Sequence, residues 1–290
     1  MTFAEEVERV WPSGRATFDV LGGGITNHNL KVEVDGERFV LRVAGKDTDL
    51  LGIDRRVELA ATRAAAALGI GPEVVEFVEP EGWLVTRFLD GDIPPVERMR
   101  EDDMLERVAA ALQAYHGAPA ILGVFDSFRV VALYRQTALD RGGRVPEEYG
   151  WAHEISERIR GKRSGDASVP CHNDLLNANF LFDGERLRIV DWEYAGMGDR
   201  FFDLANFAIN HELDAAQSET LLAAYFGEVS DAHVQALQLM RFMSDFREAM
   251  WGVVQSAVSE LDFDFDAYAA EHFKRLRRTA ESLGFREAIG

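Results

Sequence analysis

The sequence predicts an α+β fold in two lobes: an antiparallel sheet plus helix over residues 1–90, then a mainly helical region over 91–290. Three observations predict it. Before residue 90, short runs rich in Val, Phe and Thr are punctuated by glycine turns, the pattern of paired strands. From residue 101 onward apolar residues recur at helical spacing. That helical region is interrupted by a polar loop and a hairpin between residues 172 and 191.

Each element follows from its own residues. Phe3, Val7, Val10 and Trp11 form one apolar face, so residues 3–11 read as a short amphipathic helix. Residues 17–21 read as a strand, followed by Gly22-Gly23-Gly24-Ile25-Thr26-Asn27 and a second strand at 30–34. Asp35-Gly36 is a tight turn into a third strand at 38–43. Residues 54–68 form a helix closed by Gly69. Two further strands, 74–78 and 83–88, flank the turn Glu79-Pro80-Glu81-Gly82, and Gly91 with Pro94-Pro95 marks the lobe boundary. Residues 101–116 are helical through Leu105, Val108, Ala109, Leu112 and Tyr115. Helices are also expected near 152–160, 202–211, 216–226, 231–256 and 267–283.

The interruption carries the chemistry. It reads His172-Asn173-Asp174-Leu175-Leu176-Asn177-Ala178-Asn179, with Asp191 following in Ile-Val-Asp-Trp-Glu. Asp183-Gly184, between two apolar runs, is a hairpin turn that brings Asp191 back beside Asn179. A carboxylate, a carboxamide and a second carboxylate at this spacing match what protein kinases use to orient a hydroxyl and hold magnesium on ATP. In that chemistry Asp174 accepts the hydroxyl proton or aims its lone pair, and Asn179 and Asp191 supply the hard oxygens that magnesium needs. His172 is expected to brace the loop.

The first lobe supplies matching parts. Glycines let backbone approach phosphate oxygens, which makes Gly23, Gly24, Thr26 and Asn27 candidates for the nucleotide. Arg42 is a charge near the end of an apolar strand, where kinases place a phosphate-binding lysine, and its fork suits phosphate. Glu58 on the following helix would brace it, although Arg55, Arg56 and Arg63 compete for the same carboxylate. Thr86 and Phe88 lie in the segment expected to meet adenine through backbone groups.

Composition sets the limits. A formal charge of −19 argues against nucleic acid or an anionic membrane as the main partner and permits a cationic small substrate. Cys171 is the single cysteine, so no disulfide forms within the chain, as suits a reducing cytoplasm. No signal peptide or apolar run of spanning length is evident, and a cytoplasmic protein is expected.

With these residues in view, the chain resembles the choline/ethanolamine kinase family of the aminoglycoside phosphotransferase superfamily, which shares the bilobed protein-kinase-like fold. The matching runs are Gly22-Gly23-Gly24-Ile25-Thr26-Asn27, Val40-Leu41-Arg42-Val43, His172-Asn173-Asp174 with Asn179, Asp191-Trp192-Glu193-Tyr194, Phe202-Asp203-Leu204-Ala205-Asn206 and Trp251-Gly252-Val253-Val254-Gln255. The resemblance implies ATP and Mg2+ as cofactors and a cationic amino alcohol as acceptor, choline being the best single guess. It places an aromatic cage on Tyr194, Trp251 and Tyr268, and a structural role on Asp203 and Asn206. A second cage tryptophan of the eukaryotic pattern is Glu248 here, a carboxylate that could attract the cation or accept hydrogen bonds from an amine. Ethanolamine, an aminoglycoside, thiamine and a sugar-amine are alternative acceptors, and a nucleotide-binding pseudokinase is the alternative from another class.

Overall fold

A computed structural model describes every residue except 1, 23–26, 46–47 and 166. The chain divides into two compact units, Met1–Pro94 with Ala178–Glu193, and Pro95–Asn177 with Tyr194–Gly290.

In the first unit, helix α1 (Phe3–Val10) precedes strands β1 (Thr17–Leu21), β2 (Asn27–Val34) and β3 (Glu37–Ala44), then helix α2 (Arg55–Ala67) and strands β4 (Val74–Val78) and β5 (Trp83–Arg87). The sheet is antiparallel in the order β1-β2-β3-β5-β4. Alternation decides which face is buried: Leu30, Val32, Leu41 and Val85 have no exposed surface and pack with Val7 of α1. Asp35 and Gly36 both take positive φ, 51° and 83°, which gives the tight β2–β3 turn its hand. Asp54 caps α2, its side chain accepting from the N–H groups of Arg56 and Val57.

The hairpin Phe180–Phe182/Leu187–Ile189 clusters with this sheet unit, whereas the expected division at residue 90 assigned it to the second lobe. Backbone pairing is the reason. Ile189 N–H donates to the Ile70 carbonyl at 2.7 Å, and Asp92 and Phe182 exchange N–H···O bonds at 3.1 and 2.9 Å. Gly91 allows that approach, since a Cβ there would lie 3.1 Å from the Phe182 backbone.

The second unit is helical around α9. Helices α3 (Val96–Met99), α4 (Asp102–His116), α5 (Ser127–Asp140), α6 (Glu148–Arg163), α7 (Arg200–Asn210), α8 (Ala215–Phe226), α9 (Asp231–Val258), α10 (Phe265–Glu281) and α11 (Leu283–Ile289) follow in order. Every residue of α9 from 242 to 255 is buried, so this helix has no solvent face over that stretch. Helices α3 and α11 were not expected from the sequence, and neither were two larger features. Helix α5 starts at an Asp126 cap and buries Val131, Tyr134 and Ala138 along one stripe. Strands Ser168–Cys171 and Gly196–Asp199 pair antiparallel, and their glycines hide the second strand from propensity. Gly196 is needed because a Cβ there would meet the Phe125 backbone nitrogen at 2.9 Å. Among the described residues no helix is long and apolar enough to cross a membrane.

Candidate active site

The first unit holds a cavity of about 480 Å³. Leu21, Val40, Leu84 and Leu181 make an apolar wall, and Arg42, Glu58, Asn179 and Asp191 make a polar end. Thr86 and Phe88, the residues expected in an adenine segment, also line it. One detail differs. The Phe88 N–H donates to the Arg38 carbonyl at 3.0 Å because the strand pairing continues past β5, so that donor is already engaged.

At the polar end Arg42 is the hub. Its Nη1 donates to Glu58 Oε1 at 2.6 Å and to Asp191 Oδ1 at 2.8 Å. Glu58 braces Arg42 as expected, but it serves a second arginine as well: Arg55 Nη1 donates to Glu58 Oε2 at 2.7 Å. The competition anticipated among arginines is resolved by sharing, since a carboxylate has two oxygens and each takes one guanidinium. Arg55 also reaches Glu193 Oε2 at 3.1 Å and Asn27 Oδ1 at 2.7 Å, and Asn27 Nδ2 donates to Glu193 at 2.7 Å. Asn27 is the end of the glycine segment. Gly23, Gly24 and Thr26 lie outside the described residues.

Burial and the neighbouring Asp191 push the Glu193 carboxyl up to about 7, against the pull of Arg42 and Arg55. Burial would lower Arg42, but Asp191, Glu58 and Glu193 outweigh it and hold the guanidinium firmly charged. Three carboxylates face two guanidiniums here, so the cluster carries excess negative charge when all are ionised. Oxygen donors and that excess suit a hard divalent cation at Asn179 and Asp191. The hairpin makes the pair adjacent: Val190 N–H donates to the Asn179 carbonyl at 2.9 Å, one residue from Asp191, which sits at φ 66°.

The second unit holds Asp174 on a braced loop. Asp203, fully buried on α7, accepts the His172 N–H at 2.8 Å on Oδ2 and the Asn173 N–H at 2.7 Å on Oδ1. His116 Nε2 lies 3.0 Å from Oδ2. Asn206 Oδ1 accepts the Leu175 N–H at 2.5 Å, and Asn206 Nδ2 donates to Ser244 Oγ at 3.0 Å. His172 is fully buried and its Nδ1 accepts the Asp174 N–H at 3.2 Å. These bonds hold Asn173 at φ 67°, a conformation few side chains adopt unaided.

The aromatic positions come together in the same unit. Trp251 Nε1 donates to Tyr194 Oη at 3.0 Å, and the Trp251 and Tyr268 rings meet at 5.4 Å in an edge arrangement. Glu248 is buried among them, its Oε2 accepting from Tyr268 Oη at 2.9 Å. Burial raises its carboxyl, yet Arg247, His272 and Tyr268 outweigh burial and hold it below the usual carboxylate range. Arg247 is the residue that sequence reasoning missed. It is buried, its Nη1 donates to Glu248 Oε1 and, at 3.3 Å, to Asp174 Oδ1, and its guanidinium carbon lies 4.3 Å from the Tyr194 ring centroid. A charge adjacent to Glu248 in an apolar helix was the available signal.

A sheet unit whose arginine–glutamate pair touches a metal-type aspartate, and a helical unit carrying an aspartate on a braced loop, define a nucleotide-dependent phosphotransferase of protein-kinase-like fold. Comparison with known proteins agrees. Residues 17–240 match the phosphotransferase enzyme family (APH), and the chain belongs to that family. Protein LicA of Haemophilus influenzae is 26% identical over 281 residues, covering 90% of this chain and 79% of LicA. Human ethanolamine kinase 2 is 27% identical over 310 residues, covering 93% and 78%. The crystal structure of a choline/ethanolamine kinase family protein from Mesorhizobium loti superposes with a TM-score of 0.84 at 28% identity, covering 99% of this chain and 98% of the other.

Proposed function

We propose that this protein is a Mg2+- and ATP-dependent kinase that phosphorylates the hydroxyl of a small amino alcohol. The observation that carries the reading is Arg42 bonded at once to Glu58 and to Asp191, at the polar end of a cavity with an apolar wall. An apolar slab ending in a fixed guanidinium suits a base followed by phosphates. Asn179 and Asp191 would hold the magnesium, which neutralises charge on the transferring phosphoryl group. Glu58 keeps Arg42 extended toward that end, and Arg55 and Asn27 tie the base of the glycine segment to Glu193.

Asp174 is the group assigned to the acceptor hydroxyl, taking its proton or aiming its lone pair. The brace from Asp203 and Asn206 fixes where that carboxylate points. Glu248, charged and set among Tyr194, Trp251 and Tyr268, supports an acceptor that carries an amine, because a buried carboxylate favours a cation. LicA-type choline kinases and ethanolamine kinases among the relatives support the same class. The test is acceptor-dependent ADP release across choline, ethanolamine, an aminoglycoside, thiamine and neutral sugars. Turnover of an amino alcohol is expected. Turnover of a neutral sugar with none for any amine would overturn the acceptor class, and Mg-ATP binding without any turnover would favour a pseudokinase.

A further inference from the structure

Arg247 narrows the acceptor, an argument that rests on the reading of Asp174, Glu248 and the aromatic cluster as the acceptor site. Its side chain is 1% exposed, and of its three nitrogens Nη1 alone is spent on Asp174 and Glu248. Nε and Nη2 have no hydrogen-bond partner among the described residues. A buried donor left without a partner is costly, and a charged one more so. Nε–H and the adjacent Nη2–H point the same way along one edge of the guanidinium. They form the side-on fork whose spacing fits the two oxygens of a carboxylate.

The position of this cation also takes one of the aromatic faces a quaternary ammonium would use. Arg247 Cζ stands 4.3 Å from the Tyr194 centroid, well inside cation–π range, so that face already serves a charge. A trimethylammonium placed against the same ring would meet a like charge that cannot be deprotonated. It could offer nothing to Nε or Nη2. Charge balance then decides between an acid and a zwitterion. Asp174 and Glu248 outnumber Arg247, so a lone added carboxylate would deepen an existing negative excess, whereas a carboxylate accompanied by an ammonium leaves the balance unchanged. The groups facing Arg247 from other elements are Tyr134 of α5, Tyr194 and Asp174, with His272 and Tyr268 of α10 set around Glu248.

We infer that the acceptor is a small zwitterionic hydroxy-amino acid, its carboxylate held bidentate by Arg247 Nε and Nη2, its ammonium facing Glu248 and its hydroxyl at Asp174. Arg247 is then a specificity-determining residue.

The deciding comparison uses the wild-type enzyme with serine and ethanolamine, which differ by a carboxylate alone, together with homoserine, threonine and choline. Acceptor-dependent ADP release is expected to favour at least one hydroxy-amino acid over ethanolamine and choline by about thirtyfold in kcat/KM, the scale of a buried charge-assisted pair. Arg247→Lys keeps the charge and loses the fork. It should raise KM for the favoured amino acid by a similar factor while shifting KM for ethanolamine only a few fold. Preference for choline or ethanolamine over every hydroxy-amino acid overturns the inference and leaves the kinase reading standing. Should no alcohol be turned over, the kinase reading fails, and the melting temperature still reads Arg247: a rise with a hydroxy-amino acid that Arg247→Lys abolishes supports the contact, and its absence overturns it. If Arg247→Lys does not fold, the serine–ethanolamine comparison in the wild type decides alone.

Discussion

Replacing Asp203 by Asn tests whether the loop that carries Asp174 is held by one buried carboxylate. Asp203 has no exposed surface and accepts two backbone N–H groups, at 2.8 and 2.7 Å, one on each oxygen. Asn has the same shape but a single oxygen. Whichever way the amide turns, its NH2 faces a backbone N–H, one bond is lost and a buried donor is stranded. That loss is about 1–3 kcal/mol, and the bond that remains loses its ionic share, bringing the total to roughly 3–5 kcal/mol. A stable domain can absorb this and stay folded. The loop would not stay in register, because the same N–H bonds hold Asn173 at φ 67° immediately before Asp174. Misplacing a catalytic group by about 1 Å costs on the order of 100-fold in rate. Urea titration read by tryptophan fluorescence gives the stability change, and ADP release gives kcat. A stability change under about 1 kcal/mol together with kcat within about twofold of wild type would refute the reasoning.

Three further outcomes are expected. Asp174→Asn should retain the melting-temperature rise given by Mg-ATP while turnover falls by about 10²–10⁴-fold, and near-wild-type turnover would remove Asp174 from the chemistry. Arg42→Met takes away one of the two partners of Glu58 and the arginine bonded to Asp191, so KM for ATP should rise at least about tenfold with KM for the acceptor little changed; equal effects on both would contradict the assignment of Arg42 to the nucleotide. Burial pushes the His211 imidazole down to about 4, with Arg100 adding to the effect and the Phe207 carbonyl opposing it. The unfolded chain therefore binds this proton first, near pH 6.5, and stability falls as pH drops from there toward 4, by up to about 3 kcal/mol for this group. His211→Asn removes that share of the slope, and parallel stability–pH curves for the two proteins would count against it.

Much of the site was legible in the sequence because its parts are local. Asp183-Gly184 between two apolar runs is enough to fold a hairpin, and a hairpin returns Asp191 to Asn179 whatever surrounds it. The arginine in β3 and the glutamate in α2 are likewise near in the chain, sixteen residues apart, and meet at 2.6 Å. Helix α5 escaped because its stripe of Val131, Tyr134 and Ala138 is thin, and the strand at Gly196 escaped because glycine carries no strand preference.

What the sequence determined by itself is the local arrangement: Asp174, Asn179 and Asp191 at a spacing set by one loop and one hairpin, with Arg42 on a strand. What only the tertiary structure decided is the pairing of Arg247 with Glu248 and Asp174. Arg247 and Glu248 are neighbours in a helix, where successive side chains diverge by about 100°, so a pattern reading sends one of them to solvent. Helix α9 is buried all round at that point, and both charges are forced inward to find each other, Asp174 and the face of Tyr194. Long-range burial, which no local spacing encodes, is the reason.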